Sequence, residues 1–232
     1  MDGTFAVPCV SPGVAALNRQ YAGRMPLSNY AKDKFVAPEM SKFTAATIRD
    51  MSQVDSEQEH WLSNFILNAI FRANVLSPQR QQMYNFLRRS HSAYAEYALA
   101  REATLAFIED RRHIRYLDAI GHWEAFLAYS WQAHCFLGRG KKIWFEKGDG
   151  SVRERLNVLH NRAKHADEAI ERGEFFGDSP LCVWLTNDGL RSTETSLSFD
   201  EIAGILDDLA KWASAVQDPA TMHEKLRAEA GA

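Results

Sequence analysis

The strongest constraint on the fold of this chain is a long stretch without helix-breaking residues. After Pro78, no proline and no glycine occurs as far as Glu109, and apolar residues recur every three to four positions. This spacing places them on one side of an α-helix, and proline is tolerated at a first helical position. Such a helix must bury its apolar side against other elements, so the stretch predicts a helical bundle.

Four further segments show the same period, at about 57–75, 113–137, 151–172 and 199–217. Asp55 or Ser56 is expected to accept hydrogen bonds at the start of the first of these helices. Ser198 and Glu201 have the spacing of a capping box at the start of the last one. The residues expected on the apolar sides include Trp61, Phe65, Leu67, Ile70, Phe71, Met83, Phe86, Leu87, Tyr94, Tyr97, Ala98, Leu105, Ile108, Ile114, Leu117, Ile120, Trp123, Leu127, Trp131, Phe136, Ile202, Ile205, Leu206, Leu209 and Trp212.

Near the C-terminus the apolar period changes from 3.6 to 2. Leu181–Thr186 is a short apolar run, residues 187–189 (Asn-Asp-Gly) favour a turn, and Arg191–Leu197 alternates with Thr and Ser. This pattern predicts a β-hairpin over 181–197.

The predicted fold is therefore mainly α, a bundle of four to six helices with a small C-terminal β-hairpin. Residues 1–55 show weak periodicity, and we expect an N-terminal arm that is partly irregular, with a short helical piece at Val14–Tyr21. Residues 56–218 are expected to form one domain that includes the hairpin. Residues 219–232 are expected to form a polar tail.

Cysteine usage and hydropathy exclude several classes of protein. Cys9, Cys135 and Cys182 lie far apart with no Cys-x-x-Cys pair, which argues against a disulfide scaffold and a structural zinc site. The first residues lack the basic and apolar regions of a signal peptide, and nowhere do 18 apolar residues run together. We therefore expect a cytoplasmic protein without a membrane span, and no cofactor is predicted.

The net charge of −3 conceals an uneven distribution of charge. Residues 111–165 carry 11 basic and 5 acidic side chains, whereas residues 166–232 carry 5 basic and 14 acidic ones. Five of the eight histidines also fall in the basic segment. A basic segment of this kind is either a solvated face, a footprint for an anion or nucleic acid, or a partner for the acidic C-terminal third inside the fold.

Two histidines outside the 151–172 segment are interpreted as structural. Asp118 lies one helical turn before His122, so its carboxylate is expected to pair with the imidazole. His134 is expected to be buried and hydrogen-bonded. Because no second set of ligands follows at metal spacing, no metal site is predicted.

The 151–172 helix combines an apolar face with an unusual outer face. At about 100° per residue, one narrow arc holds the residues expected to pack on the bundle, Val152, Leu156, Leu159, Ala163, Ala166 and Ile170. The opposite side presents polar and small apolar residues, namely Val158, Asn161, His165 and Ala169. Arg155 and Arg162 lie at one margin of the packed face and His160 at the other. This mixture is typical of a helix–helix contact between subunits that encloses a polar pocket.

Residues 160–165, His-Asn-Arg-Ala-Lys-His, resemble the motif of the HEPN family, which is an arginine, a polar residue (often asparagine), about three residues and a histidine. The resemblance covers about residues 57–172. It implies a helical bundle with the motif on a late helix. In many members two copies of the motif meet in a dimer and form a metal-independent ribonuclease site, whereas others serve as toxin–antitoxin partners or binding modules.

Two alignments with that motif are open. In the first, Asn161 and His165 occupy the asparagine and histidine positions, and His160 stands where the family has arginine. In the second, Arg155 occupies the arginine position and His160 the histidine position, and an apolar residue stands where the family has a polar one. The helical angles favour the first alignment, in which Arg162 or Arg155 would supply the guanidinium.

The resemblance implies cleavage of RNA by attack of a 2′-hydroxyl on its own 3′-phosphate. That reaction needs a base that titrates near neutrality and cations that stabilise the transition state. The predicted catalytic residues are His165 as acid and base, Asn161 as the orienting group, Arg162 and His160. The predicted phosphate-binding residues are Arg155 and Lys164, because cationic side chains form charge-assisted hydrogen bonds with phosphate.

The function expected from the resemblance is that of an RNA-associated protein, an endoribonuclease of bacterial defence or of a toxin–antitoxin pair. The expected partners are a second copy bound through the 151–172 helix, RNA, and an antitoxin or other protein. The alternative is a non-catalytic helical dimerisation or interaction module, in which the same helix is only an interface.

Overall fold

A computed structural model of the chain describes residues 27–71, 77–138 and 145–217. In chain order the elements are α1 (Asn29–Phe35), α2 (Ser52–Phe71), α3 (Ser77–Asp110), α4 (His113–Gly138), α5 (Val152–Lys164), α6 (Ala166–Arg172), β1 (Trp184–Leu185), β2 (Gly189–Arg191), β3 (Ser196–Ser198) and α7 (Phe199–Val216). The prediction of a mainly α fold with a small C-terminal sheet is confirmed. No helix in the described ranges is long and apolar enough to cross a membrane.

The long helices α3 and α4 form an antiparallel pair that has the most extensive contact in the fold. Their inner sides are aromatic, and the rings of Tyr97 and Trp123 meet edge to face with centroids 5.6 Å apart. The indole of Trp123 donates a hydrogen bond to the Thr104 hydroxyl at 3.0 Å, which satisfies a polar group inside the core. Both helices begin and end within two residues of their predicted bounds.

The apolar sides of the helices are narrower than the sequence predicts. Leu67 and Ile70 on α2 are exposed, as are Leu105 on α3 and Ile114 and Leu117 on α4. Ala98 is exposed as well, and the side chain of Phe71 lies outside the described part. The prediction was wrong for these exposed residues because periodicity shows which residues share a face, and only the neighbouring elements decide how much of that face is covered.

The start of α2 also differs from the prediction. The helix begins at Ser52, so Asp55 and Ser56 lie inside the helix rather than at its cap. The capping interaction comes from Asp50, whose carboxylate accepts a hydrogen bond from the Ser52 N–H at 2.9 Å. That hydrogen bond holds the pKa of Asp50 below its usual value.

The irregular segment 36–51 is part of the core. Ala37, Met40, Phe43, Ile48 and Met51 are buried in it. Its backbone carbonyl oxygens accept hydrogen bonds from α3 and from the residue after it. The Tyr97 hydroxyl donates to the Arg49 carbonyl, and the guanidinium groups of Arg101 and Arg111 donate to the carbonyls of Ile48 and Phe43. Residues 1–26, including Val14–Tyr21, and the tail 219–232 lie outside the described residues.

The predicted hairpin is a three-stranded antiparallel sheet in the order β1-β2-β3. The expected second strand is divided by a turn in which the Ser192 N–H donates to the Thr195 carbonyl at 2.8 Å. Leu190 stands opposite Leu185 in β1 and Leu197 in β3, and all three side chains are buried. The capping box is confirmed, because Ser198 and Glu201 exchange hydrogen bonds of 3.1 and 3.0 Å at the start of α7.

Gly189 is required by the sheet. A Cβ at this position would lie 2.0 Å from the Leu197 carbonyl oxygen of β3. We expect Gly189→Ala to lower the free energy of unfolding by about 2–4 kcal/mol, measured by urea denaturation, because the backbone of β3 cannot move aside without breaking the ladder.

Gly204→Ala is the matched control, since a Cβ at Gly204 in α7 meets no atom within 4 Å. This substitution should raise stability by about 0.5–1 kcal/mol, the usual gain when alanine replaces glycine inside a helix. Equal stability of Gly189→Ala and the wild type would contradict the β2–β3 pairing.

Candidate functional site

The helix predicted over 151–172 is interrupted at His165. The helix α5 starts at the cap Ser151 and ends at Lys164, and α6 starts at Ala166. His165 has φ −110° and ψ 38°, outside helical values, although its N–H still donates to the Asn161 carbonyl at 2.9 Å. The prediction of one continuous helix was wrong at this residue.

The interruption changes which residues of α6 are buried. Leu156 and Leu159 of α5 are buried, as the helical angles predict. Beyond His165 the pattern is rotated, so that Ala169 is buried at 2% exposure and Ile170 is 64% exposed. In a continuous helix Ile170 would be buried and Ala169 would be exposed.

Three of the predicted catalytic residues line one groove of about 370 Å³, which we call the α5–α6 groove. They are Asn161, Arg162 and His165. The Asn161 amide donates to the Asn157 side chain at 3.1 Å, and the Nδ1 atom of His165 lies 3.2 Å from Glu168 Oε1. The His165 side chain is 46% exposed, so its imidazole is accessible to solvent.

Arg162 does not present a free guanidinium to this groove. Its two terminal nitrogens donate to Glu174 and Glu194, and its side chain is only 20% exposed. Hydrogen bonds to these carboxylates raise the pKa of Arg162, and the Arg162 guanidinium in turn holds the pKa of Glu174 below its usual value. A phosphate would have to displace two carboxylates to reach this arginine.

The charge of the α5–α6 groove is unfavourable for an anion. Among the described residues that line it, the guanidinium groups of Arg162 and Arg172 face the carboxylates of Glu168, Glu174 and Glu194. Arg172 also pairs with Glu168 at 2.9 Å. Three carboxylates thus stand against two guanidinium groups in this lining, and the excess of negative charge disfavours phosphate.

Arg155 has a structural role that the sequence did not reveal. Its guanidinium donates to the carbonyl oxygens of Gly150 and Ser196 at 3.1 and 2.8 Å and to the Glu201 carboxylate. Glu201 also accepts from the backbone N–H of Ser198 in the capping box of α7. Arg155 therefore joins α5 to β3 and α7, and it does not line the α5–α6 groove.

The remaining two predicted residues, His160 and Lys164, line a second cavity of about 510 Å³ between α4 and α5. This α4–α5 cavity is also lined by Glu124, Ala128, Trp131, Gln132, Cys135 and Ala163. His160 is only 9% exposed. Burial lowers its pKa, and the positive charges of Lys164 and His165 lower it further, so the imidazole is neutral at pH 7.

Glu124 is a candidate functional residue that the sequence analysis missed. Its side chain is half-buried, and burial raises its pKa to about 7. No hydrogen bond or ion pair holds its carboxyl group within the described part of the chain. A signal was present in the sequence, because Glu124 is the only Asp, Glu, Lys or Arg side chain between residues 119 and 138.

Two other histidines take structural positions. His122 pairs with Glu96 of α3 at 2.8 Å rather than with Asp118, because the tight α3–α4 packing brings Glu96 closer. His134 is buried, and its ring nitrogen lies 2.8 Å from the Ser130 carbonyl, as predicted. Across the described ranges, no group of three His, Cys, Asp or Glu side chains is placed to hold a metal ion.

Comparisons with known proteins identify no relative of the chain. No protein-family model matches it, and neither a curated protein nor a solved structure matches it significantly.

The buried carboxyl of Glu124 gives a specific dependence of stability on pH. Its pKa is about 7 in the folded protein against an ordinary value of 4.5, so the folded state is penalised as pH rises through this interval. We expect Glu124→Gln to raise the free energy of unfolding by about 2 kcal/mol at pH 8 and to change it little at pH 4.5. Urea denaturation at the two pH values measures this difference.

Glu102→Gln is the control, since Glu102 is an exposed carboxylate on α3. It should leave stability nearly unchanged at both pH values. A gain for Glu124→Gln that is the same at pH 4.5 and pH 8 would contradict the buried, unpaired state of this carboxyl.

Proposed function

We propose that this chain is a non-catalytic, HEPN-like helical module that forms a homodimer through the face of α5 and α6. The observation that carries the proposal is the pairing of Arg162 with Glu174 and Glu194. Arg155 is likewise held by Glu201. Both guanidinium groups that could stabilise a cleaved phosphate are thus used by carboxylates of the same chain.

The composition of this face supports contact with a second copy. A two-fold axis brings the same patch of both subunits together, so the patch must complement itself. The α5–α6 groove carries both signs of charge side by side, with Arg172 one helical turn from Glu168. Rotation about a two-fold axis can place the arginine of one subunit against the glutamate of the other.

Apolar side chains in and directly after α6 are exposed, and a dimer could bury them. Ile170 is 64% exposed and Phe176, in the loop after α6, is 54% exposed. Val158, which is partly exposed, lines the α5–α6 groove. An apolar centre with a charged rim is the usual composition of an interface between subunits.

Ile170→Glu tests the dimer. A carboxylate in the centre of the interface would be buried without a partner, so the dimer dissociation constant should rise at least about tenfold, measured by sedimentation equilibrium. Ile114→Glu is the control, because Ile114 is 48% exposed on α4 and lies outside this face. A wild-type monomer at about 100 μM, or dissociation by the control variant alone, would overturn the proposal.

A metal-independent endoribonuclease is the second candidate, and one contact favours it. Glu168 lies 3.2 Å from His165 Nδ1, and a carboxylate in this position orients an imidazole so that Nε2 can act as acid or base. Asn161 lines the same groove and could position a phosphate. The required cation would be Arg162 released from its carboxylates, or an arginine of the second copy.

An RNA cleavage assay in EDTA separates the two candidates. The endoribonuclease predicts products with 2′,3′-cyclic phosphate ends, and His165→Ala should reduce the rate at least about a hundredfold, the usual size of a lost acid–base group. His91→Ala, an exposed histidine on α3, should have no effect. Intact RNA with a folded, dimeric wild type supports the non-catalytic module and excludes the nuclease.

A further inference from the structure

The α4–α5 cavity has the size and position of a small-molecule site. Its volume of about 510 Å³ falls within the range of ligand pockets. The lining residues of α4 recur at helical spacing, at 124, 128, 131, 132 and 135, so they form one side of the helix. Ala128 and Ala163 leave space between the two helices because their side chains are short.

Three polar side chains in this cavity have no partner. Glu124, Gln132 and His160 make no hydrogen bond or ion pair within the described residues. A half-buried carboxyl without a donor destabilises the fold, so its presence in an otherwise apolar stretch calls for a role. All three can accept hydrogen bonds, Glu124 as carboxylate, Gln132 through its amide oxygen and His160 through a neutral ring nitrogen.

We propose that the α4–α5 cavity binds a small primary amine whose ammonium group pairs with Glu124, with Gln132 and His160 as further acceptors in the lining. An ammonium has three N–H donors and a positive charge, and Glu124 is the carboxylate in the lining that can pair with it. The carbon body of the amine packs against the Trp131 indole and the two alanines. The indole face also attracts a cation, which adds to the selection for ammonium.

Lys164 limits the class of amine. Its exposed ammonium lies at the rim of the cavity and makes no ion pair in the part of the chain that the structure describes. It repels a second positive charge on the ligand and attracts a negative one. The ligand is therefore a monoamine, or an amine with a distal anionic group, rather than a polyamine.

Binding depends on pH through Glu124, which must lose its proton to pair with the ammonium. The titratable groups near it are His160 and Lys164 of α5, Cys135 of α4, and Cys182 before β1. Burial raises the pKa of Cys182, and His160 is neutral, so neither changes charge near pH 7. With a Glu124 pKa of about 7, affinity should be about tenfold higher at pH 8 than at pH 6.

Calorimetric titration of the full chain with three probes tests the proposal. 2-Phenylethylamine, 2-phenylethanol and phenylacetate share a ring but carry a positive, neutral and negative group. We expect the amine to bind at least tenfold more tightly than either of the others. Glu124→Gln should weaken amine binding at least tenfold and remove the pH dependence of binding. Because this variant is expected to be more stable than the wild type, its loss of binding cannot be attributed to unfolding.

Ala128→Leu provides a second variant, because it fills the cavity without removing a polar group. It should abolish amine binding while its circular dichroism spectrum stays that of the wild type. The proposal is overturned by equal binding of 2-phenylethanol, by unchanged binding to Glu124→Gln, or by no binding of the amine up to about 10 mM, where even a weak site is occupied. The cavity lies outside the α5–α6 groove, so this result is independent of the dimer.

Discussion

The fold depends on the aromatic packing between α3 and α4. Trp123 contacts Tyr97 and Phe126 at centroid distances of 5.6 and 5.8 Å, and these rings are fully buried. The tyrosines of this pair also bind other parts of the chain. Tyr94 donates to the Leu206 carbonyl of α7, and the Tyr116 hydroxyl accepts from the Leu185 N–H of β1. Each hydroxyl thus fixes a separate element to the same pair of helices.

Three arginines of the basic segment are paired with acidic residues of the C-terminal third of the chain. Arg153 pairs with Asp208, Arg155 with Glu201, and Arg162 with two glutamates that follow α6. These pairs join α5 to the acidic C-terminal third of the chain. A local excess of positive charge therefore does not imply a surface for nucleic acid, because charges distant in sequence are adjacent in the structure.

Successive residues of α5 belong to different sites. Asn161 and Arg162 line the α5–α6 groove, whereas the preceding His160 lines the α4–α5 cavity. A rotation of about 100° per residue explains this separation. The six residues at and near the predicted motif therefore divide among the α5–α6 groove, the α4–α5 cavity and the Arg155 contact with α7, instead of forming one cluster.

The sequence by itself determined the elements whose signals are local. The bounds of α3 and α4 follow from apolar period and the lack of helix breakers, and the start of α7 follows from the spacing of Ser198 and Glu201. The core face of α5 at Leu156 and Leu159 follows from the same period.

Only the tertiary structure decided the properties that depend on residues distant in sequence. The sequence predicts Arg162 as a cation available to phosphate, but in the fold its guanidinium pairs with Glu174 and Glu194, which follow α5 in the chain. The isolation of Glu124 is likewise invisible until α5 covers one side of α4. Periodicity records which side chains share a face of one helix, whereas pairing and burial depend on what the rest of the chain places against that face.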